Sequence, residues 1–289
     1  MSNEASNYIE LRKVRDFSEV IGTGFQFIRQ NWKALYRPLL FYYLPPYVAA
    51  SFFLGRFLRN VGLTTATGSS AGLVSGMGSM LFGYLLLVLA SVLMYAIVYE
   101  FMAFYLMNHG LAPGAGEVGR RALRRSPSYL AVIIVAGIIT SVGLVLFILP
   151  GIWLAVLFSL ALPVLAFGSG DIGDGISRPF KLVRGQWWVT FGLIVVLAML
   201  ITFISYIIYL PLMLLTGFGA MSGATGMEDP ESLGWLMSLF MMGAGVVNML
   251  LQPFLLVPIG FHALSLMEAQ EGQGLMERVD AVTGTGQPQ

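Results

Sequence analysis

The sequence predicts an all-α integral membrane protein, a six-span helical bundle with proline-kinked spans and amphipathic helices at the cytoplasmic interface. Three observations lead to this fold class. Of the 289 residues, 57% are hydrophobic and 11% are charged, against roughly 25% charged in an average soluble domain. Apolar runs about as long as the ~20 residues needed to cross the hydrocarbon core recur along the chain. Lysine and arginine are concentrated in alternate segments between those runs.

The spans follow from apolar runs bounded by charged or glycine-rich breaks. These runs lie near residues 35–58, 79–107, 128–149, 151–168, 188–215 and 233–266. Residues 1–34 are then a cytoplasmic N-terminal segment with an amphipathic helix, residues 35–268 the membrane domain, and residues 269–289 a flexible cytoplasmic tail. The first thirty-five residues lack the apolar stretch and cleavage site of a secretory signal, so we expect the N-terminus to be retained.

A tight hairpin is expected between the third and fourth spans. Leu149-Pro150-Gly151 divides an apolar stretch too long for one crossing, and Pro-Gly is a strong turn dipeptide. Other prolines fall inside spans, where each removes a helical hydrogen bond and bends the axis. They are Pro45-Pro46, Pro163, Pro211, Pro253 and Pro258.

The distribution of positive charge predicts that both termini are cytoplasmic, because short loops rich in lysine and arginine stay inside. Only Arg56 and Arg59 of the sixteen fall on the opposite side in a six-span arrangement. The other fourteen precede or open span one, or lie between spans two and three, between spans four and five, or after span six: Arg12, Lys13, Arg15, Arg29, Lys33, Arg37, Arg120, Arg121, Arg124, Arg125, Arg178, Lys181, Arg184 and Arg278.

An internal repeat precedes the odd-numbered spans. Two segments share a pattern at a constant offset of 155 residues: Glu19, Ile21, Phe25, Ile28, Arg29 and Trp32 match Asp174, Ile176, Phe180, Val183, Arg184 and Trp187. A looser third copy covers residues 117–129. Each unit is interpreted as an interfacial helix, an aromatic turn and a spanning helix. The alternative, ordinary basic loops obeying the positive-inside rule, explains the charges but not the matched spacing.

The second copy predicts an amphipathic helix over residues 171–186. Ile176, Phe180 and Val183 share one helical face, and we expect all three to contact lipid, while Pro179 is acceptable if the regular helix begins near Ser177 or Arg178. Cationic and aromatic side chains of both copies suit the headgroup layer. The candidate lipid- or partner-contacting residues are Arg29, Trp32, Arg178, Lys181, Arg184, Trp187 and Trp188.

The segment from Leu149-Pro150-Gly151 through the fourth span to Trp187-Trp188 resembles the membrane domain associated with glycerophosphoryl diester phosphodiesterases, and related stand-alone bacterial membrane proteins. Those proteins carry a similar "LPG" hairpin followed by an "RS-x-x-L-x-x-G-x-W" segment; here the order is Ser177-Arg178. The likeness is best over residues 115–215. The resemblance implies a protein of the bacterial cytoplasmic (inner) membrane without implying a particular activity.

The sequence contains no recognisable catalytic or cofactor-binding constellation. It has no cysteine, and His109 and His262 stand outside any metal-ligand spacing. We therefore expect no enzymatic activity, cofactor or metal site. Glu100 is the one carboxylate within an apolar run, a functional-site hypothesis by default. We expect it to reach the interface or to form an ion pair with an arginine such as Arg178 or Arg184; a proton relay is the alternative.

The expected function is a non-enzymatic scaffold or accessory role in the bacterial envelope, engaging anionic lipid or a partner protein. Membrane lipids are the expected partners, with other membrane proteins or a homo-oligomer as further partners and no nucleic acid. A transporter or lipid-handling channel is the alternative, since repeats and proline-broken helices are frequent in transporters. A transporter or an intramembrane enzyme requires a polar cavity with convergent side chains, and a scaffold does not.

Overall fold

The computed structural model describes residues 9–67, 71–221 and 230–271, and every regular element within these ranges is helical. A π-helical segment, Leu39–Tyr43, joins the first two helices without a break. The helices are α1 (Phe17–Pro38), α2 (Leu44–Thr67), α3 (Ala71–Met107), α4 (Ala115–Leu146), α5 (Ile148–Phe158), α6 (Ala161–Phe167), α7 (Ile172–Leu182), α8 (Trp187–Met221) and α9 (Pro230–Glu271).

Five segments in the described ranges are long and apolar enough to cross a membrane, which confirms the predicted all-α membrane class. The predicted first span is not among them, because Pro45-Pro46 and several tyrosines dilute its apolar character and it runs on into Arg56 and Arg59. The five segments are Gly76–Met107, Ala115–Leu146, Ile148–Phe167, Trp187–Pro211 and Trp235–Gln270.

The chain reverses between α4 and α5 at a single residue. Phe147 is extended, with φ −154° and ψ 127°, so the break lies before the predicted Leu149-Pro150-Gly151 turn. That tripeptide belongs to the first turn of α5, where proline costs no hydrogen bond. Gly151 lies against the backbone of Leu144 with no room for a Cβ. The result is a close helical hairpin whose tip, residues 145–149, is exposed and wholly apolar.

The predicted fourth span is two helices separated at Ser159-Leu160. Pro163 has no N–H, so it cannot donate to the carbonyl of Ser159 as a regular α-helix would require. By contrast, α8 continues through Pro211 and α9 through Pro253 and Pro258. Bending at these three prolines stays a prediction.

Helix α7 starts at Ile172, after Asp171, in agreement with the predicted segment 171–186, but it ends at Leu182, so the predicted extension to residue 186 is wrong. Pro179 lies in the interior of the helix, so the later start near Ser177 or Arg178 that would have placed it in the first turn is also wrong. The helix tolerates the lost hydrogen bond because Pro179 is buried and α7 packs against α4, α5 and α6. A turn at residues 183–186, with Gly185 at φ +83°, separates α7 from α8.

The three copies of the sequence repeat do not share one backbone. In the first copy, α1 continues through Trp32 without a turn, and in the third, α4 is uninterrupted over residues 117–129. Gly185 supplies the left-handed conformation in the second copy, whereas Gln30 stands at the matching position of the first, and that conformation is costly for a residue with a Cβ. The predicted helix–turn–span unit is therefore wrong for two of the copies.

The chain divides into two compact units. The first comprises the described parts of Met1–Leu35, Tyr95–Ala198 and Pro253–Gln289, and its core is built around Phe27, which makes edge-to-face contacts with Phe101, Tyr105 and Phe261. The predicted C-terminal tail is helical in α9 as far as Glu271, and its remainder, residues 272–289, lies outside the described residues.

The second unit comprises the described parts of Tyr36–Met94 and Met199–Gln252. Two tyrosine hydroxyls donate hydrogen bonds to backbone carbonyls of α9: Tyr36 to Leu250 at 2.7 Å and Tyr209 to Ala244 at 3.2 Å. The Tyr47 ring lies directly on the Cα of Gly245, where no Cβ would fit. These three tyrosines therefore attach the neighbouring helices to α9 within the second unit.

Candidate functional site

The carboxylate of Glu100 lies at the centre of a buried charged cluster in the first unit. It is 0% exposed. Arg121 Nε donates to its Oε2 at 2.5 Å, Arg125 Nη1 donates to its Oε1 at 2.8 Å, and the hydroxyl of Tyr129 donates to the same Oε1 at 3.1 Å. Two cations and one hydroxyl therefore compensate the cost of burying this charge.

The arginines that bind Glu100 are not the ones predicted. Arg178 and Arg184 belong to α7 and the turn that follows it, whereas the actual partners lie on α4. Only residues 108–114 separate α3 from α4, so α4 returns beside α3. Glu100 is seven residues from the end of α3 and Arg121 six residues from the start of α4, which brings them level. The nearly equal distance of Glu100 and Arg121 from this short loop is the signal in the sequence that could have identified the partner.

Neighbouring groups position both guanidinium groups. Arg121 lies 5.5 Å from the centroid of the Phe104 ring, a favourable cation–π geometry. Arg125 lies so close to the Cα of Gly170 that no Cβ would fit there. Both arginine side chains stay about a quarter exposed, at 28% and 27%. The cluster thus has a net charge of +1 and donors that remain accessible.

An apolar cavity of about 320 Å³ lies in the first unit between α3, α4, α8, α9 and the break between α5 and α6. Its volume is at the small end of ordinary ligand pockets. The polar groups at its wall are hydroxyls, and the Ser159 hydroxyl already donates to the carbonyl of Val156 at 2.6 Å. Representative lining residues are Tyr95, Tyr99, Ala136, Phe158, Ile194 and Leu256. Such a lining suits a hydrocarbon and not an ion.

The predicted contact residues of α7 and the start of α8 form a mixed basic and aromatic surface. Lys181 and Arg184 are exposed, and Trp188 is 77% exposed. Trp187 is partly buried: its indole ring stacks on Phe191 at 5.2 Å, and its N–H donates to the carbonyl of Trp153 at 3.4 Å. Lys181, Arg184 and Trp188 are therefore accessible to an external partner, whereas Trp187 is accessible only in part.

The apolar face predicted for α7 is partly wrong. Val183 is 2% exposed and cannot contact lipid. Phe180 is exposed and contacts the Trp153 ring at 6.1 Å, while Ile172 is exposed and Ile176 is partly exposed. The accessible apolar side chains of α7 are thus those of residues 172, 176 and 180. Val183 belongs to the turn after Leu182, and its side chain is buried.

The remaining predicted contact residues lie elsewhere in the first unit. Arg178 is partly exposed and lines a small pocket of about 180 Å³ together with Arg12 and Glu268. Arg29 and Trp32 are exposed on α1, where the Nζ of Lys33 lies 5.6 Å from the Trp32 ring. The matched cations of the two copies, Arg29 and Arg184, are therefore both exposed.

Two further polar contacts secure the first unit. The Thr190 hydroxyl lies 2.9 Å from His262 Nε2, which explains how α9 accommodates a buried histidine. The backbone N–H of Arg15 donates to Ser265 Oγ at 2.9 Å, and its guanidinium lies over the Phe261 ring. Burial lowers the pKa of Arg15. Within the described ranges, no three His, Cys, Asp or Glu side chains converge as metal ligands.

These features define a helical membrane protein with a neutralised buried carboxylate, an adjacent apolar cavity and an exposed basic–aromatic surface. Compared with protein-family models, curated proteins and solved structures, the chain matches none.

Proposed function

We propose that the protein is a non-enzymatic integral membrane protein that engages anionic lipid through α7 and the start of α8, in a scaffold or accessory role. The observation that carries this proposal is a short segment, residues 180–188, in which the cations Lys181 and Arg184 and the apolar side chains of Phe180 and Trp188 are all exposed. Cations and indoles beside apolar groups match the chemistry of a membrane interface with negatively charged headgroups.

The proposed topology has six crossings with both termini in the cytoplasm, the segment from α1 to α2 supplying the sixth. The bias of lysine and arginine supports it, and the resemblance of residues 115–215 to bacterial membrane domains supports an inner-membrane location. Reporters test this topology. We expect signals outside, inside, inside, outside and inside, respectively, at Ser69, Pro113, Gly170, Gly226 and the C-terminus. An external signal at Gly170 would contradict six crossings.

Lipid selectivity tests the proposed function directly. The protein is reconstituted in nanodiscs of mixed phosphatidylglycerol and phosphatidylcholine, and bound lipid is counted by native mass spectrometry. Each basic residue near an anionic surface contributes about 1 kcal/mol, so Lys181→Gln with Arg184→Gln should weaken the preference for phosphatidylglycerol about thirtyfold. Arg56→Gln is the matched control, since Arg56 is also exposed but lies on the opposite side in the proposed topology. Equal losses in both variants would contradict the proposal.

Spin labels test whether α7 lies in the interface. Lipid accessibility should be high at Ile172, Ile176 and Phe180, whose apolar side chains recur every four residues on one helical face. It should be low at Lys181 and Arg184, because cationic side chains favour the headgroup layer. Uniform aqueous exposure along residues 172–186 would exclude an interfacial α7.

A lipid-handling channel or transporter is the second candidate function, and the apolar cavity is the observation that favours it. Flux assays in proteoliposomes discriminate the two functions. If the protein is a scaffold, Glu100 is only a structural partner of two arginines. Glu100→Gln should then lower the stability of the protein without affecting any flux. Loss of a proton-coupled flux in a Glu100→Gln protein that remains folded would replace the scaffold with a transporter.

A further inference from the structure

One face of α4 connects the charged cluster to the apolar cavity. Arg121, Arg125 and Tyr129 follow one another at intervals of four residues, and all three hold Glu100. Val132 and Ala136 continue the same row and line the cavity. Because residues three or four apart lie on one helical face, the guanidinium groups and the cavity belong to a single stripe. It extends over about 22 Å at ~1.5 Å per residue.

The charged end of the stripe is suited to a monoanionic headgroup. Two guanidinium groups face one carboxylate there, so one positive charge is left uncompensated within the cluster. Glu100 accepts from only two of the N–H groups, while each guanidinium carries five. The forked donor geometry of arginine matches phosphate oxygens, and a phosphodiester carries the single negative charge that the cluster lacks.

The apolar end of the stripe is suited to one hydrocarbon chain. Val132 lies seven residues beyond Arg125, a distance of about 10 Å along the helix. The polar layer of a bilayer is only about 5–8 Å deep on each side, so a phosphate at Arg125 would place the start of its acyl chain at the level of the cavity. The cavity is partly open, and its lining includes the small Ala136 and the exposed Ala198, which leaves room for a chain to enter.

We propose that this stripe is a binding site for a single anionic phospholipid, whose phosphodiester binds Arg121 and Arg125 and one of whose acyl chains occupies the cavity. The proposal rests on the proposed lipid-engaging function and deepens it. It assigns a site that the basic surface of α7 does not provide. Glu100 then has two roles, to position both guanidinium groups and to limit their combined charge to that of one headgroup.

A tail-labelled lipid tests the site. Phosphatidylglycerol carrying a diazirine on one acyl chain is added to the full-length protein in phosphatidylcholine nanodiscs, irradiated, and the labelled peptides are mapped. Label should appear on the cavity wall and should fall at least tenfold in Ala136→Phe, whose ring occupies the cavity. Gly137→Phe is the matched control, because the neighbouring Gly137 faces open space with nothing within 4 Å, and its labelling should equal that of the wild type.

Ala198→Phe repeats the test from α8, so the outcome does not depend on how well one variant folds. Unchanged cavity labelling in either folded cavity variant would overturn the site, as would equal labelling by tail-matched phosphatidylcholine. If phosphatidylglycerol is still enriched over phosphatidylcholine in those experiments, the site is wrong but the proposed function stands. If the wild type does not enrich phosphatidylglycerol at all, the proposed function itself fails.

Discussion

Replacing Glu100 by glutamine should destabilise the protein by about 3 kcal/mol. The carboxylate accepts two charge-assisted hydrogen bonds, from Arg121 at 2.5 Å and Arg125 at 2.8 Å, and such bonds contribute ~1.5–3 kcal/mol each. Removing one partner of a buried ion pair costs ~3–5 kcal/mol. The lower end applies here, because both arginines are about a quarter exposed and water relieves part of their unpaired charge.

The free energy of unfolding is measured by denaturant titration in detergent micelles, where 3 kcal/mol reduces the folded-to-unfolded ratio about 150-fold. Glu19→Gln is the matched control. It removes a carboxylate that pairs with Lys13 at 2.8 Å on the surface, and exposed pairs contribute no more than about 1 kcal/mol. If the two variants lost the same small amount, Glu100 would not be a buried structural partner and the reasoning would fail.

Four further substitutions test the packing of the first unit by thermal unfolding. Gly185→Ala should cost about 1–2 kcal/mol, purely from the backbone, since φ is +83° and no atom lies within 4 Å of the new Cβ. Gly151→Ala should cost about 2 kcal/mol because its Cβ would collide with α4, whereas Gly137→Ala in open space should be stabilising by up to about 1 kcal/mol. Thr190→Val should cost about 1–3 kcal/mol, since it leaves His262 without its partner.

For each substitution, one outcome would contradict the packing described above. A neutral Gly185→Ala would mean that the turn after α7 does not adopt the left-handed conformation. Equal effects at Gly151 and Gly137 would exclude the close approach of α4 and α5. An unaltered unfolding temperature in Thr190→Val, with Thr190→Ser as the variant that keeps the hydroxyl, would show that His262 is satisfied by another group.

The helices were predictable from the sequence because apolar composition and length determine them locally. Span two was expected to end at residue 107, where α3 ends, and span five to begin at residue 188, one residue after Trp187. The turn before α8 was also readable, since Gly185 offers the required positive φ. The first span was different, because tyrosines and the Pro45-Pro46 pair make the predicted segment 35–58 intermediate in hydropathy, and composition alone does not decide such a case.

The contacts of the candidate site were harder to predict, because they depend on which helices pack together. Glu100 was assigned to cations of α7 on the basis of depth alone, while its partners were decided by the short connection between α3 and α4. A later start of α7 was considered because Pro179 was weighed as an isolated helix breaker, without the packing that holds it. The cavity lies at the break between α5 and α6, and no local sequence pattern predicts the space left between six helices.

The hairpin of α4 and α5 also bears on how the protein enters a membrane during its synthesis. The forty-five residues between Arg125 and Asp171 contain no Asp, Glu, Lys, Arg or His, and the reversal at Phe147 needs no polar loop. Moving one charged residue to the centre of a bilayer costs about 2.5–3.5 kcal/mol even on the scale of translocon-mediated insertion. This hairpin carries no such residue across, so its two arms can partition into lipid together as one preassembled element. The later pair, α8 and α9, must instead export Glu228 and Asp229 in the proposed topology.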